Sequence, residues 1–257
     1  MAKRYSNLYI GLFSAVMVIF VATLLALANG LLKEKQQENV RVEKIQQILD
    51  AIHVENTQDD AIGLYEEHLL REIMVDREGN VTHSYLPDGT FTAGSRRAFE
   101  IKMKTLARGI KDYDAGKVDT IPDLPIFVMK GNNNNTFYVI PVNGKGLWGP
   151  IWGNIALKDD LNTIAGTTFD HKSETPGLGA EINQKPFQDQ FIGKKLFNTE
   201  GGFMSIAVVK GGAKTLKPEN QIHGVDAISG GTITSNGVTE MLEDFLVHYV
   251  EFLKKGE

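Results

Sequence analysis

The feature that most constrains this chain is an uncharged, strongly apolar run near its N-terminus. Residues 8–32 contain no Asp, Glu, Lys or Arg, and a helix needs roughly 20 apolar residues to cross a bilayer. A run of this kind is either a membrane helix or a secretory signal peptide, and Ala26-Leu27-Ala28 is similar to a signal cleavage site. The apolar run is, however, about twice the usual length of a signal's apolar region. We therefore predict a retained transmembrane helix.

The charges beside this run predict its orientation. Lys3 and Arg4 precede it, whereas Lys, Arg and Glu are mixed in the residues that follow Leu32. By the positive-inside rule, residues 1–7 lie in the cytoplasm and everything after Leu32 lies outside it. The sequence thus predicts a single-pass membrane protein with an extracytoplasmic domain.

Composition excludes several kinds of chemistry. The chain has no cysteine, which excludes disulfides, a cysteine-bound iron–sulfur cluster and a cysteinyl flavin link. Its net charge of −5 argues against nucleic acid as a partner. His171 and Glu174 come close together in sequence, but a lone His–Glu pair without further ligands does not predict a metal site.

Hydrophobic periodicity after the apolar run predicts an α+β domain. Apolar residues that recur every three or four positions indicate helices, and apolar residues that alternate with polar ones indicate strands. The predicted helices are 40–52, about 60–70 and 95–108, and the predicted strands are 72–76, 81–86, 124–130, 136–142, 164–170 and 203–210. We interpret residues 111–125, which are rich in Asp and Pro, as an acidic surface loop.

A glycine pattern, Gly144-Lys-Gly-Leu-Trp-Gly149, follows one of these strands. It has the spacing of a dinucleotide-binding fingerprint, which requires a helix to begin at this point. Pro150, Gly153 and the alternation over 151–157 indicate another strand instead. We therefore predict a strand–turn–strand and reject a Rossmann fold.

A second glycine-rich turn, residues 226–235, precedes an amphipathic helix at the C-terminus. The apolar positions after it recur every three or four residues, and we expect the helix to begin at about 234–236, with one of those residues as its cap. The free amides of its first turn then face back toward Thr232, and Gly230 and Gly231 allow an anion to approach closely. On these features alone, an ordinary glycine-rich turn before a capped helix is the favoured interpretation of the stretch.

The order of residues in this turn carries a family resemblance. Asp226-x-x-Ser-Gly-x-Thr232, followed by Ile-Thr-Ser, resembles the attachment motif of the flavin-binding domain found in the C subunit of the sodium-pumping NADH:quinone reductase and in the G subunit of the Rnf electron-transport complex. His171-x-x-Glu-Thr-Pro-Gly-Leu-Gly179 matches that domain's second signature without a gap. Residues 146–150, Gly-Leu-Trp-Gly-Pro, match a segment that lines the flavin site in the family.

The resemblance implies a role for each matching residue. Thr232 would carry FMN through a phosphoester bond, and Trp148 would lie against the isoalloxazine ring or its phosphate arm. Asp226 and Ser229 would be recognised by the flavin transferase that installs the cofactor. The family usually has alanine where this chain has Gly231, which removes one methyl group from the turn. The remaining residues implied to contact FMN are Leu147, Gly149, Glu174, Thr175, Gly177, Leu178, Lys210, Ser229, Gly230 and Gly231.

The same resemblance implies an electron carrier in a bacterial inner-membrane complex, with its main domain on the periplasmic side. It covers the anchor and residues from about 137 onward, and more loosely the stretch between. The Gly-Leu-Trp segment and the region 72–125 favour the sodium-pump family over the Rnf one.

The implied organisation is a cytoplasmic N-terminus (1–7), a transmembrane helix (8–32), a membrane-proximal region (33–125) and an FMN-binding domain (126–257). Its partners would be the other membrane subunits of a complex that oxidises NADH, reduces ubiquinone and exports sodium. Without the two signatures, the chain would be an anchored, flavin-free binding or scaffold domain.

Overall fold

The computed structural model describes residues 6–256, so Lys3 and Arg4 lie outside the described part. The chain divides into two compact units after Lys44. The first unit is the greater part of helix α1, Asn7–Ala51. Its apolar side chains, including Phe13, Ile19 and Leu25, are exposed within this unit. Among the described residues, α1 is the one helix that is long and apolar enough to cross a membrane.

The second unit begins at Ile45, and most of its strands form one antiparallel sheet. The last turns of α1 belong to this unit, where Ile45, Ile48 and Leu49 are buried. The strands are β1 Leu69–Val75, β2 Val81–Tyr85, β3 Phe91–Ala93, β4 Leu124–Lys130, β5 Thr136–Lys145, β6 Pro150–Leu157 and β7 Ile164–His171. Their order in the sheet is β3-β2-β1-β4-β5-β6-β7. The implied boundary between residues 125 and 126 falls inside β4, so the regions on its two sides share this sheet.

Helices and a small parallel strand pair complete the unit. The helices are α2 Ala61–His68, α3 Met103–Asp114, α4 Lys185–Gln188, α5 Thr232–Leu246 and α6 Val250–Lys255, and the parallel pair is β8 Ala207–Val209 with β9 Gly224–Asp226. The side chains Val238 and Leu242 of α5 join the core that Ile140 and Val142 of β5 also line. This packing fixes the start of α5 near the turn between β5 and β6.

The structure corrects two predicted elements. The helix expected over 95–108 begins only at Met103 and continues to Asp114, into the predicted acidic loop, because Leu106 and Ile110 are buried on one of its faces. The strand expected over 203–210 is reduced to Ala207–Val209. Ser205 has φ of 55°, and a positive φ at a residue other than glycine interrupts an extended strand.

Candidate functional site

The turn between β5 and β6 presents Trp148 to solvent. The amide of Gly146 donates to the carbonyl of Gly149 at 2.8 Å, which closes the turn. The residues after it continue as β6 rather than as a helix, so the rejection of a dinucleotide fingerprint is confirmed. The side chain of Trp148 is 65% exposed. An exposed indole leaves apolar surface in contact with water, which is unfavourable unless another group covers it.

The loop after β7 turns a carboxylate inward to the same turn. Glu174 is only 5% exposed. Its Oε1 accepts the backbone N–H of Trp148 at 2.8 Å, and its Oε2 accepts the hydroxyl of Thr234 at 2.6 Å. The amide of Glu174 itself donates to Nδ1 of His171 at 3.2 Å. Both carboxylate oxygens of this signature residue are therefore engaged by groups of the protein.

The glycine-rich turn 226–235 leads directly into α5, which begins at Thr232 and not at residues 234–236. Within the described part of the chain, no side chain caps this end of the helix, and the N-cap residue is Gly231. The predicted cap is therefore wrong, because Thr234, Ser235 and Asn236 all lie inside the helix. The first two are engaged elsewhere: Thr234 donates to Glu174, and Ser235 accepts the N–H of Ile228 at 3.2 Å. The start of α5 thus lacks a side-chain cap, and the amides of an uncapped helix start favour an anion.

These three segments surround a pocket of about 220 Å³. Four exposed apolar side chains border it, and a partly exposed threonine lies at the first position of α5. The lining residues are Leu147, Trp148, Glu174, Thr175, Leu178, Gly179, Gly230, Gly231, Thr232, Ile233 and Thr234. Larger clefts of about 440 and 700 Å³ are lined by none of the residues implied to bind flavin. An apolar rim beside an uncapped helix start suits a ligand with a flat apolar ring and an anionic arm.

Eight of the implied site residues line this pocket, and five do not. Those that line it are Leu147, Trp148, Glu174, Thr175, Leu178, Gly230, Gly231 and Thr232; Gly149, Gly177, Ser229, Lys210 and Asp226 are not among the lining residues. Gly177 has φ of +76° and bends the loop after β7. Lys210 directly follows β8 and is exposed.

Asp226 lies at the end of β9, beside a different pocket of about 340 Å³. One of its carboxylate oxygens accepts the amide of Ala213 at 2.6 Å, and its own amide donates to Gln190 at 2.8 Å. In this structure Asp226 holds the turn after β8, and its recognition by a flavin transferase stays a prediction.

Three lining residues, Gly179, Ile233 and Thr234, were not among those implied to touch flavin. Thr234 had been considered only as a helix cap, and its buried partner Glu174 lies 60 positions away in sequence, so no local pattern indicates the pair. Ile233 is exposed on the first turn of α5. The sequence feature that could have indicated Ile233 is its apolar side chain within a stretch otherwise rich in hydroxyls and glycine.

Comparisons with known proteins agree with this geometry. A family model described as "FMN-binding domain" matches residues 146–247, which include all the pocket-lining segments. The C subunit of the Na(+)-translocating NADH-quinone reductase of Vibrio alginolyticus is 32% identical over 244 residues, covering 95% of this chain and 90% of the relative. The corresponding protein of Vibrio parahaemolyticus is 34% identical, with 92% and 87% covered.

Two solved structures share the fold. The crystal structure of the C subunit of the Na(+)-translocating NADH-quinone reductase from Parabacteroides distasonis aligns with a TM-score of 0.72 and 36% identity, covering 88% of this chain and 98% of that one. The crystal structure of NqrC from Shewanella oneidensis aligns with a TM-score of 0.63 and 25% identity, covering 84% and 98%. An N-terminal apolar helix followed by an α+β domain is thus confirmed.

Proposed function

The chain belongs to the NqrC family, the FMN-binding C subunits of the Na(+)-translocating NADH-quinone reductase, and on that premise we propose that it holds FMN covalently at Thr232 and relays electrons within the complex. The covalent link is a phosphoester between the FMN phosphate and the hydroxyl of Thr232. Electrons reach this protein from a metal centre elsewhere in the complex and leave to a second flavin in a neighbouring membrane subunit.

The observation that carries this proposal is the state of the hydroxyls in the glycine-rich turn. Thr234 and Ser235 are each 1% exposed and hydrogen-bonded to the protein. Ser229 is exposed but does not line the pocket. Thr232 is partly exposed, lines the pocket and stands at the uncapped start of α5. Thr232 is therefore the one of these four hydroxyl-bearing residues that is both accessible to solvent and a lining residue of the pocket.

The pocket residues fit the two parts of FMN. Leu147, Trp148, Leu178 and Ile233 are exposed apolar side chains around one opening, and they would cover a planar ring and keep water from it. The amides of the first turn of α5 would stabilise the phosphate charge. When bound, FMN supplies the electron-transfer chemistry, and the protein supplies its position and environment.

The location and maturation of the protein follow from the same proposal. Helix α1 anchors the chain, with the N-terminus in the cytoplasm and the unit from Ile45 on the periplasmic side. A flavin transferase attaches the cofactor after export, and the covalent bond prevents its loss where the cell cannot readily replace it. The relay then forms part of NADH oxidation, ubiquinone reduction and sodium export by the assembled complex.

The test is flavin fluorescence on denaturing gels after production with a flavin transferase. We expect the wild-type chain and Thr232→Ser to retain flavin through denaturation, because both keep an acceptor hydroxyl. Thr232→Ala should lose it completely while remaining folded by circular dichroism. Flavin retained on the Ala variant would refute the attachment site. Its absence from all three chains would favour the flavin-free anchored domain.

A further inference from the structure

We propose that Glu174 and Thr234 form a positioning pair that fixes the Trp148 turn against the first turn of α5. This inference deepens the proposed function and rests on it for the flavin itself. The pair joins the two signature segments and the Gly-Leu-Trp segment through one buried carboxylate. Its role is to fix the position of the Trp148 ring beside the pocket, and the pair itself does not transfer electrons.

The hydrogen bonds hold the Trp148 backbone from two sides. Its N–H donates to Glu174 Oε1 at 2.8 Å, and its carbonyl accepts the hydroxyl of Ser173 at 3.2 Å. The ring of Trp148, by contrast, is 65% exposed. The described structure thus restrains this residue chiefly through its backbone, so the placement of the ring depends on the loop that carries Glu174.

Thr234 completes the connection to α5. It is 1% exposed and donates to Glu174 Oε2 at 2.6 Å. A buried carboxylate oxygen that loses its donor bears an uncompensated desolvation cost. Thr234 therefore stabilises the inward conformation of Glu174, and through it the position of the Trp148 turn.

Two glycines, one in the Gly-Leu-Trp segment and one in the signature 171–179, make room for this pair. A Cβ on Gly146 would lie 2.6 Å from Glu174 Oε1, and a Cβ on Gly179 would lie 2.3 Å from the Thr234 hydroxyl and 2.6 Å from Glu174 Oε2. Neither position accepts a side chain while the pair is in place. Both glycines are thus part of the same arrangement as the carboxylate.

The first experiment needs no flavin and uses the fluorescence of Trp148 in the detergent-solubilised full chain. The chain has two tryptophans, so Trp152→Phe leaves Trp148 as the single emitter. In this background, Thr234→Val removes the donor at nearly constant volume, whereas Thr234→Ser retains it as the matched control. We expect the nanosecond component of the fluorescence anisotropy decay of Trp148 to become roughly twofold larger in the Val variant, because the ring moves more freely. The Ser variant should match the parent.

Glu174→Gln tests whether the two hydrogen bonds, rather than the charge of Glu174, hold the Trp148 turn. The Gln oxygen accepts the Trp148 N–H, and its NH₂ group donates to the Thr234 hydroxyl, which is able to accept. Both links are kept, so Trp148 should depolarise as in the parent. Glu174→Ala breaks both links, so the fluorescence of Trp148 should depolarise in it at least as much as in the Thr234→Val variant.

The second experiment measures the midpoint potential and fluorescence yield of flavin on the same variants after attachment. We expect Thr234→Val to keep covalent flavin but to shift both quantities, with Thr234→Ser unchanged. Wild-type depolarisation in Thr234→Val would overturn the positioning role. So would unfolding of both Thr234→Val and Thr234→Ala, since the pair would then hold the fold itself. If no chain carries flavin, the attachment proposal fails, while the tryptophan measurement still decides the pair.

Discussion

Gly230 and Gly231 are adjacent in the turn before α5, yet they tolerate a side chain to different degrees. Gly230 has φ of +75°, and a Cβ there would lie 2.5 Å from Cδ2 of Leu178. Gly231 has φ of −101°, and its Cβ would lie 3.0 Å from Cγ2 of Ile228. The second contact is relieved by a shift of a few tenths of an ångström.

We expect Gly231→Ala to lower the free energy of unfolding by about 1 kcal/mol through tighter packing. Gly230→Ala should cost about 2–3 kcal/mol, because it adds left-handed backbone strain to a closer contact. Urea unfolding of the solubilised chains measures both values. Gly231→Ala, which restores the residue usual in the family motif, should still take up flavin. An equal loss of stability in the two variants would contradict the difference in backbone conformation.

Trp148 is the aromatic residue among those that line the pocket, and its ring is largely exposed. We expect Trp148→Ala to keep covalent flavin, because the attachment hydroxyl of Thr232 belongs to another segment. The visible spectrum and the midpoint potential should change, since a stacked aromatic ring shields a flavin from water. Trp152→Phe is the control for loss of a tryptophan in the neighbouring strand. A spectrum and potential identical to those of the wild type would exclude stacking by Trp148.

At the scale of elements, the sequence predicts what depends on local periodicity and misses what depends on distant partners. The sequence predicts strands β4 and β7 to within one residue of their ends, and β5 to within three. The start of α5 was not, because a hydroxyl-rich stretch indicates a side-chain cap. In the structure the buried carboxylate of Glu174 takes the hydroxyl of Thr234 instead. Motif order located the site segments, but only the fold shows which side chains turn inward.

A charge cluster that local pattern does not reveal joins β1, β2 and the segment 97–99. Glu72 of β1 is 1% exposed, and its carboxylate accepts hydrogen bonds from the side chain of Arg97 and from the amide of Phe99 at 2.9 Å. The hydroxyl of Tyr65 also donates to it at 3.3 Å. This cluster fixes the 97–99 segment onto β1. The Arg97 guanidinium also stacks 4.0 Å from the ring centroid of Tyr85 on β2.

We expect Arg97→Met to destabilise the unit that begins at Ile45 by about 3–5 kcal/mol, because it leaves a buried carboxylate without its cation. Replacing both partners, Arg97→Met with Glu72→Gln, should recover part of that loss, since no buried charge remains and the Gln oxygen can still accept the amide of Phe99. Urea unfolding of the single and double variants measures the coupling. Equal destabilisation by the single and double variants would show that the charge pair is not what holds the segment.

At the scale of the whole molecule, the orientation of the domain is open to a direct test because the native chain has no cysteine. A single introduced cysteine is then the only target for a maleimide. Asn133 is exposed in the turn between β4 and β5, and Ala2 precedes the basic pair that predicts a cytoplasmic N-terminus. These two positions report the two sides of the membrane.

We expect a membrane-impermeant maleimide, admitted through the outer membrane, to label Asn133→Cys in cells whose inner membrane is intact. Ala2→Cys should be labelled only after the inner membrane is permeabilised. The reason is that the uncharged run 8–32 places the residues on its two sides in different compartments. Labelling of both cysteines in intact cells would indicate that the apolar run is cleaved or does not span the membrane. The reverse pattern would place the flavin pocket in the cytoplasm and remove the physical reason for a covalent link, since free FMN is replaceable there.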